Sequence, residues 1–152
     1  MYSYHIPLRR RPKSDDGYLE VLAQSVFQAG FSWEVVRRKW PNFRKAFHNF
    51  KIGRVARMTP RDVARLMRDQ GIIRNSAKIM AVIENARIIR ELRREHGTFG
   101  DFIRSIRKQP YARRRAVLAK TFHWIGPTGA YHFFWCVGES VPEWGERKSL
   151  SV

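Results

Sequence analysis

The chain has 152 residues, enough for one domain and too few for a multidomain assembly. With 43% hydrophobic and 13% aromatic residues it can build one core, which excludes wholesale disorder. Its 30 Lys and Arg against 13 acidic residues give a formal net charge of +17, a self-repulsion most simply offset by a polyanionic partner.

Residues 1–13 form a basic, Pro-bearing leader. Ser14-Asp15-Asp16 then predicts a helix cap with acids in the first turn, and Tyr18, Leu19, Val21, Leu22, Val26 and Phe27 supply an apolar stripe ending near Gly30. Ser32 predicts the cap of a short helix through Arg38, and Pro41 the first turn of another that carries Phe43, Phe47 and Phe50. Thr59-Pro60-Arg61-Asp62 is a start signal for a helix closing at Gln70-Gly71. Ser76 to His96 is the longest helical stretch, followed by shorter ones at Phe99–Arg107 and Tyr111–Lys120. Thr121 to Thr128 reads as a tight hairpin and Gly129 to Val137 as a final, very apolar helix. No alternating strand pattern competes. The expectation is an all-α fold, a compact bundle of about eight short helices, with a domain over 14–140 and a C-terminal tail over 141–152.

A single cysteine, Cys136, excludes an internal disulfide and any zinc site built on two thiolates. No apolar run approaches the ~18 residues of a membrane span, and no signal-peptide pattern is present. These features predict a soluble, cytoplasmic, nucleoid-associated protein. Basic residues clump at Arg9-Arg10-Arg11, Arg37-Arg38-Lys39 and Arg113-Arg114-Arg115. Any one clump reads equally as a solvated helix face; together they point to phosphate binding. In Phe122-His123-Trp124-Ile125-Gly126-Pro127-Thr128-Gly129-Ala130-Tyr131, a glycine turn leads into a helix start, which can offer backbone amides to one phosphate without reading sequence. Such a turn can also be a turn and nothing more.

Gln28-Ala29-Gly30-Phe31-Ser32-Trp33, Gly71-Ile72-Ile73-Arg74-Asn75, Lys78-Ile79, Glu84-Asn85-Ala86-Arg87 and Ile125-Gly126-Pro127-Thr128 resemble, in the same order, the DNA-3-methyladenine glycosylase I family of the helix-hairpin-helix glycosylases. The likeness runs from about residue 18 to 138. It implies a helical fold that bends DNA, wedges the stack and takes a damaged base into a pocket. On that likeness Ser25, Phe27, Gln28, Trp33 and Tyr4 are the base-pocket candidates, Gly30 and Phe31 the wedge, and Gly126, Thr128, Gly129, Arg74, Lys78 and Lys120 the phosphate contacts. For Phe27 and Trp33 a plain packing role competes.

The sequence departs from the family in three places. The family's zinc site needs two Cys and two His, whereas Glu143 and Arg147 stand at the C-terminal ligand positions, so no metal and no cofactor is expected, and Val141, Pro142 and Trp144 can hold the tail by packing instead. Ser25 stands where the family has a pocket glutamate, which puts the identity of the base in question. No Asp follows Asp101 and no Lys lies in the hairpin, which argues against Schiff-base chemistry. Glu143, between Pro142 and Trp144, is the candidate catalytic carboxylate, with a solvated tail glutamate as the competing reading. The functional expectation is a monofunctional, monomeric DNA glycosylase that hydrolyses alkylated or deaminated purines out of damaged duplex DNA in base excision repair. The alternatives are a catalytically silent damage-binding module of the same fold and an RNA-binding or architectural protein.

Overall fold

The computed structural model describes residues 9–148. Within them the chain forms eight α-helices and no strand: α1 (Asp15–Gln28), α2 (Trp33–Ala46), α3 (Ile52–Ala56), α4 (Pro60–Leu66), α5 (Ser76–His96), α6 (Phe99–Ile106), α7 (Tyr111–Thr121) and α8 (Pro127–Cys136). Most starts follow from local chemistry. Ser14, Ser32 and Asn75 side chains accept from backbone amides of α1, α2 and α5, and Thr59 and Thr98 form capping boxes with Asp62 and Asp101.

The acids at the start of α1 do more than oppose a helix dipole. Asp16 Oδ1 accepts the amide of Ile52, the first residue of α3, at 2.9 Å, and Asp15 Oδ2 accepts that of Phe99, the first residue of α6, at 3.1 Å. One turn of α1 thereby caps two other helices and fixes where they enter the bundle.

The structure joins what Ser32 and Pro41 suggested were two helices. α2 continues through Pro41 because Trp40 and Phe43 on its inner face pack with each other and with Phe50 and Phe27, with centroid distances of 4.8 Å for Trp40–Phe43, 5.2 Å for Trp40–Phe50 and 4.5 Å for Phe27–Phe43. Burial of such rings outweighs the hydrogen bond that proline forfeits. The helix from Pro60 stops at Leu66 rather than running to Gln70, and α8 begins at Pro127, two residues earlier than the apolar run indicates. A turn with left-handed φ at His48, Asn49 and Phe50 leads into α3, for which the sequence carries no obvious signal.

Helix α5 lies against α1, α3, α4 and α6, while α8 packs between α1 and α7. Much of the basic excess is used inside this frame. Arg114 is buried and donates to the Gln109 carbonyl and to Ser140; Arg9 donates to the carbonyls of Trp135 and Glu139. Arg87 donates to the carbonyls of Ala56 and Met58 and so closes the end of α3. The clumps at Arg9 and Arg114 are therefore partly structural, and a clump in sequence is not a patch in space.

Glu139, 3% exposed, takes both ends of the Arg107 guanidinium at 2.8 Å and has Arg11 at 3.6 Å. This fork ties the chain after α8 to the end of α6. Glu139→Gln is expected to lower stability by about 1.5–3 kcal/mol, the range for hydrogen bonds to charged groups, as read from the midpoint of urea denaturation at pH 7.

Candidate functional site

A cavity of about 420 Å³ opens between two segments, the end of α1 with its following loop (Ser25, Gln28, Ala29, Gly30, Phe31) and the hairpin entering α8 (Trp124, Gly126, Pro127, Thr128, Gly129, His132), with Lys148 completing the lining. Its size lies within the ~300–1,000 Å³ of small-molecule sites.

Each wall is set by a residue of α5. On the first, Lys78 is only 3% exposed and its ammonium donates to the carbonyl oxygens of Phe27, at 3.3 Å, and Ala29. A cation at the carbonyl end of α1 complements the helix dipole there. Gly30, with φ of 82°, then turns the chain so that Phe31 stands 44% exposed. On the second wall, Asn85 bonds His123 through both of its amide atoms, Oδ1 accepting the His123 amide at 2.8 Å and Nδ2 donating to its carbonyl at 3.2 Å. Phe122 and Ile125 bury at 4% and 5%, and the chain meets both demands by placing Trp124 outward at a left-handed φ of 62°. For so bulky a residue that conformation costs on the order of 1–3 kcal/mol. α8 then begins just after Gly126, its N-cap, with no side chain capping it, so its first-turn amides have no intrahelical partner, and a Cβ built at Gly126 meets no atom within 4 Å.

The lining is electrically neutral apart from Lys148 at its edge, and no carboxylate belongs to it. Ser25 Oγ donates to the Val21 carbonyl one turn back at 3.2 Å. His132 is 1% exposed, and burial pushes its imidazole down to about 3; its Nε2 lies 3.6 Å from Cys136 Sγ, whose thiol burial pushes up to about 12. Both stay uncharged at neutral pH. His132 Nδ1 and Gln28 Oε1 are shielded from solvent with no hydrogen-bond partner.

Several expectations are corrected by this geometry. Lys78 does not present its charge to phosphate, because the ammonium is inside the protein holding carbonyls. Phe27 is fully buried against Phe43 and belongs to the core. Trp33, 5% exposed, does not line the cavity beside Ser25; it packs on Trp40 and His132 and faces a second, more open cleft of about 660 Å³ with Gln24 and Arg37. Glu143 is exposed, not desolvated, and lines neither space. Arg74 and Lys120 are exposed, as a phosphate contact requires. Tyr4 lies outside the described residues.

At one of the two C-terminal ligand positions stands a cation engaged with the protein itself. The Arg147 guanidinium lies 3.7 Å over the Trp144 ring and donates to Thr128 Oγ1 at 3.1 Å, and such a cation cannot ligate a second cation. No group of three His, Cys, Asp or Glu side chains able to hold a metal occurs among the described residues. Tyr131 Oη donates to the Pro142 carbonyl at 2.9 Å and its ring meets Trp144 edge-on, so side-chain packing and hydrogen bonds hold the tail onto α8.

Two site residues escaped the sequence reading. His132 is the lone histidine in the apolar run of α8, and Trp124 interrupts two core positions beside a glycine turn; both irregularities were visible but had no partner to give them meaning.

The unfolded chain binds a proton on His132 near 6.5 and the native chain only near 3, so stability is complete above 6.5 and declines as pH falls through that window, by up to ~1.4 kcal/mol per unit. The loss between pH 7 and 4.5 in urea denaturation should shrink in His132→Phe. Dialysis against a chelator should leave the melting temperature unchanged, whereas Arg147→Ala should lower it by a few degrees, ~1 kcal/mol.

Comparison with known proteins agrees with the geometry. The methyladenine glycosylase family profile matches residues 1–140. DNA-3-methyladenine glycosylase 1 of Escherichia coli K12 is 38% identical over 111 residues, 72% of this chain, and the match spans 59% of that protein's length. The DNA-3-methyladenine glycosylase of Haemophilus influenzae is 30% identical over 155 residues, covering 89% of this chain and 84% of its own. A crystal structure of 3-methyladenine DNA glycosylase I superposes with a TM-score of 0.75 at 30% identity, covering 85% of this chain and 81% of that one. The Staphylococcus aureus enzyme, whose structure concerns recognition of 3-methyladenine, shares the fold with a TM-score of 0.79 at 22% identity, over 89% and 82% of the two chains. By its all-helical fold, its ordered motifs and these matches, the chain belongs to the methyladenine glycosylase family.

Proposed function

We propose that this chain, acting as a monomer at the nucleoid, releases alkylated purines from duplex DNA by hydrolysing the N-glycosidic bond without cutting the sugar-phosphate strand. The observation that supports this most directly is the cavity between an exposed aromatic loop and an uncapped helix start. Phe31 fills the place the base leaves in the stack, and the amides following Gly126 receive a phosphate of the damaged strand, with Arg74, Lys120 and Lys148 adding attraction.

The neutral lining favours alkylated over deaminated purines. An alkylated purine carries positive charge, so the electron pair of the C1′–N bond departs onto the ring and yields a neutral base; water then adds to the sugar cation and loses a proton. Such a leaving group needs no acid. A neutral deaminated purine leaves as an anion unless something protonates it, and neither a carboxylic acid nor an imidazolium lines the cavity to do so: His132 is held uncharged and Glu143 is not among the lining residues. The chain's residues extrude, enclose and position the base. The missing lining carboxylate also favours a second reading, a damage-binding module without turnover.

Incubation with methyl-labelled DNA, chromatography of the released bases and alkali treatment of the DNA separate the two. Free methylated purine with strand breaks only after alkali is the expected result; tight binding to an abasic-analogue duplex with no base released identifies the silent module. Gly126→Asp sets a carboxylate where phosphate is received and meets no steric obstacle. It should weaken binding to the abasic-analogue duplex about tenfold or more at low salt while the melting temperature stays close to that of the native chain.

A further inference from the structure

We propose that Trp124 is the ring on which the everted base stacks as it enters the cavity; the inference rests on the function proposed above. Trp124 is 48% exposed in a hairpin whose Phe122 and Ile125 are buried, and its backbone is held left-handed while Asn85 grips both the amide and the carbonyl of His123. The ring is therefore presented at a fixed place. Across the mouth stands Phe31, and one ammonium measures the relation of the two: Lys78 Nζ lies 5.0 Å from the Phe31 centroid and 5.7 Å from that of Trp124. Since Lys78 is pinned to carbonyls of α1, both rings keep their distance from it, and both border the same cavity.

The division of labour follows from position. Phe31 rides on the loop after α1, free to enter the stack, whereas Trp124 sits beside the glycine turn that receives the phosphate, next to the nucleotide that has swung out. The other indole considered for this task, Trp33, is buried on the far side of His132. Every purine offers a flat π-face, and an indole is the broadest side-chain face on which it can stack.

The test compares the native chain with Trp124→Phe, Trp124→Ala and Trp124→Gly, the last being at ease with the left-handed backbone and so guarding against misfolding. Three quantities are read: single-turnover release of methylated purine from methylated DNA, affinity for an abasic-analogue duplex, and quenching of tryptophan fluorescence by free 3-methyladenine. Expected are a roughly tenfold or greater loss of release rate in the Ala and Gly variants, abasic-duplex affinity within about twofold of native, and a milder loss in the Phe variant. The quench should be largely lost in Trp124→Phe although the other tryptophans remain. Native release rates in Trp124→Ala, or equal losses in release and in abasic-duplex affinity, would overturn the proposal, the second outcome making Trp124 a DNA contact only. Should the native chain release no base at all, the function proposed above fails by itself. The fluorescence titration still decides the stacking: a native quench absent from Trp124→Phe upholds it, and no native quench refutes it.

Discussion

Lys78 and Asn85 stand seven residues apart on α5, two turns of one helix and hence on one face. The first grips the end of α1 and so places the Phe31 loop; the second grips the hairpin and so places Trp124 and Gly126. The cavity is the space between two jaws bolted to the same rod, and the rise along two turns, about 10 Å, sets its gape. Because α5 also carries α3 and α6 against its flanks, the spacing of the jaws cannot change without disturbing the core. That is why a lysine is spent inside the protein in a chain that otherwise has cations to spare.

The chemistry of the cavity is one of restraint. A glutamate at the position of Ser25 would place a charge against the base; here the hydroxyl is turned back on its own helix, His132 is kept neutral by burial, and Cys136 stays a thiol. What remains is shape, two exposed rings and shielded polar atoms without partners. Such a pocket lowers a barrier only for a base already primed to leave, which ties selectivity to the charge of the substrate rather than to an acid supplied by the protein.

The basic excess divides between inside and outside. Arg9, Arg87, Arg107, Arg114 and Arg147 each donate to carbonyls, carboxylates or hydroxyls that hold helix ends or the tail in place. Arg147 over Trp144, bonded to Thr128, links the tail to the start of α8.

The helices at Asp15, Thr59, Thr98 and the long run from Ser76 were legible in the sequence because capping and periodicity act over a few neighbouring residues. The ordered motifs made the family legible as well, and with it the loop at Gly30-Phe31 and the turn at Gly126. Pro41 inside α2, Phe27 in the core, Trp33 behind His132 and Lys78 turned inward were not legible, since each depends on what faces it from another helix. Aromatic rings and amphipathic cations suit a pocket, a core or a phosphate equally well by composition. Sequence by itself determined that this chain is a helical nucleic-acid enzyme of a known family, through local and family-wide patterns. Tertiary structure alone decided which rings face the cavity and which charges face the solvent, because burial is a property of neighbours brought together across the chain.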